Sequence, residues 1–113
     1  MNCTKASGTI TSNLTVTGCN SGLGKGSVPA SSLASGSGTI TWKGKHGGTT
    51  TISVSATSPG QGACATGSTE EDATGSVTAD TSGKVTVGST VSAKACVTST
   101  GSVSLVKHTV FAL

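Results

Sequence analysis

Apolar residues recur at every second position along much of this chain, and polar residues fill the gaps. Ile10, Leu14, Val16 and Gly18 share one parity, while Thr11, Asn13, Thr15 and Thr17 share the other. Successive side chains of a strand point to opposite faces, so this spacing predicts a half-buried strand ending at Cys19, with a short strand over Cys3 to Ser7 before it. Gly38 to Thr57 reads as a hairpin. Ile40 and Trp42 lie on one face, Ile52, Val54 and Ala56 on the partner, and three glycines lie in the intervening turn from Lys43 to Gly48. Towards the C-terminus, Val77 and Ala79, then Val85 and Val87, then Val91, Ala93, Ala95 and Val97 predict further strands, with Cys96 on the opposite face of the last. Ser102 to Leu113 reads as the final strand. Its alternation breaks at Leu105-Val106, which predicts either a bulge there or a strand covered on both faces.

Between these runs, Asn20 to Gly26 is a loop, and Pro29 demotes Ser27 to Leu33 to an edge or a connection. Ser58 to Thr74 is the longest irregular piece, either functional or pinned by Cys64. Turn signals come about every 8–12 residues, the spacing of an all-β sandwich or barrel. The expected architecture is all-β: an Ig-like antiparallel β-sandwich of seven to eight strands, forming a single domain over residues 1–113.

Composition agrees with strands and narrows the chemistry. Ser, Thr, Gly and Val dominate, charged residues are 10% and aromatics 2%. The net charge of +3 comes from lysine without any arginine. Arginine supplies bidentate contacts to phosphates and bases, and aromatics supply stacking, so nucleic acid is not an expected partner. No apolar run reaches membrane-spanning length, so no membrane insertion is expected. Cys3, Cys19, Cys64 and Cys96 form no C-x-x-C pair. An even count in a small, weakly charged β domain reads as two disulfides in an oxidising compartment. Three connectivities are open; Cys3–Cys19, at the ends of one hairpin-like unit, with Cys64–Cys96 by elimination, is the favoured one. Met1 abuts the first strand with no signal peptide, which reads as a mature secreted domain preceded by an added initiator Met.

Candidate chemistry is sparse. Gly22 to Ser27 lacks the spacing of a phosphate loop, and no helix follows it. Glu70-Glu71-Asp72 could offer oxygens to a cation, but three adjacent carboxylates diverge on an extended chain. His46 and His108 are too isolated to hold a metal, and no nucleophile elbow exists for a hydrolase. Neither a metal, a cofactor nor an enzymatic activity is therefore expected. Two binding candidates remain. Trp42 with Lys43, Lys45 and His46 at one hairpin end could form a ligand platform, although the parity of Trp42 with Ile40 favours a core position. The terminal strand, with Val106, His108, Val110 and Phe111, could pair at an exposed edge with another protein or with a second copy.

The Gly18-Cys19 ending of the first long strand, and the Gly36-Ser37-Gly38-Thr39-Ile40-Thr41-Trp42 strand with its Ser/Thr-rich partner through Ala56, resemble small secreted β proteins of Gram-positive actinobacteria. The resemblance covers most of the chain and implies secretion and a sandwich, without an activity. A weaker similarity is to enediyne-binding apoproteins, secreted sandwiches with two disulfides, from which no ligand residue carries over. The expected function is that of an extracellular, non-catalytic binding or assembly module. It would act through an exposed edge strand or strand-end loops. The alternative is a carrier of a small apolar or carbohydrate ligand.

Overall fold

The computed structural model describes every residue except His46 and Gln61. In chain order it contains β1 (Asn2–Thr9), β2 (Asn13–Cys19), β3 (Gly26–Pro29), α1 (Ala30–Ala34), β4 (Ser37–Trp42), β5 (Thr49–Thr57), β6 (Ser68–Asp80), β7 (Thr90–Thr98), β8 (Ser102–Leu105) and β9 (Phe111–Ala112). Each strand from β1 to β8 pairs antiparallel with the next, and β8 returns to pair with β1 through Ser7–Ser104 and Gly8–Val103. One sheet thus rolls up into an eight-stave antiparallel barrel. The all-β class and both disulfides match the sequence reading, whereas the layering differs from two stacked Ig-like sheets. Alternation reports only which face is inward, and a barrel and a sandwich share that pattern.

The eighth stave is broken. β8 sits between β7 and β1 near one end of the barrel, and β9 sits between the same two strands near the other, through Ser92–Ala112 and Cys3–Phe111. Between them the chain leaves the wall after Leu105, which is where the alternation broke. The Val106 N–H still donates to the Lys94 carbonyl at 2.9 Å, and a turn at Lys107-His108 follows. The expected continuous strand from Ser102 to Leu113 is therefore two short strands with an excursion. Because both segments pair on two sides, neither is a free edge.

Two other expectations are corrected. Ser68 to Thr74 belongs to β6 and not to a loop; its inward residues Glu71 and Ala73 carry no large apolar side chain that would have signalled a strand. Val85 and Val87 lie in the connection over residues 81–89, with Val85 buried and Val87 exposed.

Core residues crowd one half of the barrel. Ile40 and Trp42 of β4, Val16 of β2, Val28 of β3 and Val77 of β6 meet there. Leu23, from the β2–β3 loop, Val85 and the terminal Leu113 plug that end. Gly26 makes room for the indole: a Cβ at this position would lie 2.6 Å from a ring carbon of Trp42. Cys3–Cys19 staples β1 to β2 at a directly opposed register pair, and Cys64–Cys96 ties the β5–β6 loop to β7.

Replacing Gly26 with Ala overpacks this contact and is expected to lower stability by about 1–3 kcal/mol in denaturant unfolding. An unchanged midpoint would mean that the Trp42 ring is not seated against β3.

Candidate functional site

At the other end of the barrel the interior is not filled. The strand ends that meet there are the C-termini of β1, β3, β5 and β7 and the N-termini of β2, β4, β6 and β8. Their inward side chains are small: Ala73 of β6, Ala93, Ala95 and Val97 of β7, and Val103 of β8. Eight staves enclose more space than such side chains can occupy. The result is an apolar cavity of about 420 Å³. Its floor is Ile52, Val91 and Phe111, all buried, which separates it from the packed half. Leu14 and Val54 line the wall and are only half-buried although they point inward, so the cavity is open to solvent at the rim.

The rim is built from three connections. Ile10, 53% exposed, stands on the β1–β2 turn, whose N–H bonds the Gly101 carbonyl of the β7–β8 turn at 2.9 Å. Leu33 and Ala34 come from α1; Ser27 to Leu33, expected as an edge or a connection, is instead the end of β3, paired on both sides, followed by this short helix. The Ala30 N–H of that helix bonds the Ser12 carbonyl at 3.0 Å, tying it to the same turn. On the far side stands Glu71, the one charged side chain among the lining residues.

The neighbouring carboxyls of β6 face outward, under the β5–β6 loop. Glu70 is buried and accepts the Ala63 N–H at 2.9 Å, while its carbonyl accepts the Gly60 N–H at 2.8 Å. Asp72 Oδ1 is buried without a hydrogen-bond partner among the described residues. A side-chain hydrogen bond with Glu70, then burial and the repulsion of Glu70, raises Asp72 above the ordinary 3.8. Among the described residues no group of three or more His, Cys, Asp or Glu side chains converges as a metal site would require.

The candidates singled out from sequence lie elsewhere. Trp42 is buried in the packed half, where its Nε1–H donates to Thr50 Oγ1 at 2.8 Å. Thr50 in turn donates to Asp80 Oδ1 at 2.7 Å, as does Ser82 Oγ, and the Gly83 N–H reaches Asp80 Oδ2 at 2.9 Å. This chain of donors fixes the indole in the core, with 3% of Trp42 exposed, the core position that its parity with Ile40 favoured. Lys43 and Lys45 are exposed beside it, and His46 lies outside the described residues. Val106 and Phe111 are buried, the latter in the cavity floor. His108 is exposed in the turn of the excursion with φ 65°, so it is not an outward strand position. Val110 lines an outer groove of about 410 Å³ with Lys94 and Asp72. Among the described residues, the structure therefore brings only Phe111 of these candidates to the cavity. The cavity itself was missed, although the run of small inward residues Ala93 and Ala95 was its signal.

Comparison with protein-family models, with curated proteins and with solved structures gives no match to this chain.

The two aspartates predict opposite pH effects. Burial alone would push Asp80 up, but the hydrogen bonds from Thr50, Ser82 and Gly83 outweigh it and hold the carboxyl below 3.8. Its contribution is present above 3.8 and lost as pH falls through the lowered folded value. Asp80→Asn should thus destabilise at neutral pH, with the loss shrinking in acid. Asp72 is held above 3.8, so its favourable state is the protonated one, lost as pH rises through the raised folded value. Asp72→Asn should stabilise at neutral pH, with the gain vanishing below 3.8. Urea unfolding across pH reads both; same-sign effects would contradict these assignments.

Proposed function

We propose that this protein is a non-catalytic carrier that takes a small apolar ligand into the open half of its barrel. One observation carries the reading: inward-facing apolar side chains in a closed barrel remain partly exposed around a cavity of about 420 Å³. Ligand sites are commonly apolar concavities of about 300–1,000 Å³ with a few polar groups. An apolar tail entering this one removes its own surface and that of the walls from water, at roughly 25 cal/mol per Å². A carbohydrate fits the lining less well, because its hydroxyls would face alanines and valines without partners.

Assembly by strand addition, the other reading of the sequence, needs an unpaired edge, and β8 and β9 are paired on both sides. The two disulfides are compatible with an extracellular location, and secretion belongs to the same proposal. Among the described residues no helix is long and apolar enough to cross a membrane.

Titration calorimetry with octanol tests the reading. Saturable binding with one site is expected, and Ala95→Phe, which fills the cavity from β7, should weaken it at least tenfold while leaving cooperative unfolding intact. No heat with the wild-type protein, or equal binding by the variant, would contradict it.

A further inference from the structure

The geometry points to a specific ligand class, resting on the carrier reading above: an amphiphile with a cationic amine head, its tail in the lumen and its ammonium at Glu71. Glu71 stands at the rim as the only charged group among the described residues that line an otherwise apolar cavity. Among the described residues no side-chain donor or cation meets its carboxylate, and its register partner across the sheet is Ala95, which offers no side-chain donor. A half-buried carboxylate against apolar walls loses water when a tail enters beside it. A neutral head leaves that loss uncompensated, a carboxylate head adds repulsion, and an ammonium head restores a charge-assisted hydrogen bond.

The distribution of charge over the fold points the same way. Three of the chain's four acids, Glu70, Glu71 and Asp72, sit at the N-terminal end of β6 beside the open rim. Four of its seven lysines, Lys25, Lys43, Lys45 and Lys84, sit in loops at the plugged end. Of the other three, Lys5 is exposed on β1, Lys94 lies on the outer face of β7 opposite Asp72, and Lys107 is exposed beside Val106, whose N–H bonds the Lys94 carbonyl, so none of the three lines the lumen. A protein of net positive charge thus carries its negative pole at its mouth, which draws cations there.

Calorimetric titration with octylamine, octanol and octanoate, which share one tail, tests the inference. The expected order is octylamine, then octanol, then octanoate, with the amine ahead of the alcohol on the order of tenfold, the worth of one hydrogen bond to a charged group. Glu71→Gln should remove most of that advantage by weakening octylamine, while octanol binds as tightly or more tightly because no carboxylate is then desolvated, and unfolding stays cooperative, a split that mere loss of fold does not produce. Octanol binding with no preference for the amine, or a preference that survives in Glu71→Gln, overturns this inference and leaves the carrier reading standing. Failure of all three ligands overturns both.

Discussion

The pairing of β1 with β8 decides what the rest of this molecule can be. Those few backbone hydrogen bonds turn a strand meander into a closed barrel, and closure sets a diameter that the inward side chains must then fill or leave empty. It also removes the free edge that an open sheet would present. The interrupted eighth stave is the local cost of closure. β8 and β9 share one slot between β7 and β1, and the residues between them bulge outward.

Given that fixed diameter, the chain fills one half with large side chains. Trp42, Ile40, Leu23 and Leu113 pack there, and the donor chain from Trp42 through Thr50 to Asp80 satisfies the single buried indole. Gly26 accommodates the ring by offering no side chain at all. The other half is lined largely by alanines and valines, with Leu14 and Leu33 towards the rim, and its walls stay partly wet. A rigid, packed half supporting a hollow one is a sound arrangement for binding, since the cavity's strands are held by the core below it. In the β5–β6 connection, Cys64 is held to the outside of the wall by its disulfide to Cys96, and Ala63 by the Glu70 carboxyl.

Much of this was legible in sequence, for a definable reason. Period-two alternation reports inward and outward faces, so β2, β4, β5 and β7 were readable, and the break at Leu105-Val106 marked the end of β8. Both disulfides were anticipated because Cys3 and Cys19 bound one hairpin. Closure was not legible, because no local pattern distinguishes a rolled sheet from two stacked ones. The start of β6 was hidden because its outward carboxyls are covered by a loop and its inward positions are small. Trp42 is the sole tryptophan, and its parity with Ile40 already points to the core. Ala93 and Ala95 are less conspicuous, though small residues on an inward face are what an unfilled barrel leaves in a sequence.

The division into a filled and an empty half is the claim on which the functional reading stands, and diffraction from crystals under xenon pressure examines it directly. Xenon settles in apolar space that side chains leave vacant. The account predicts xenon density between Val54, Ala93 and Val97 and none around Trp42. Side chains collapsed onto one another at the open end, with no xenon there, would contradict it.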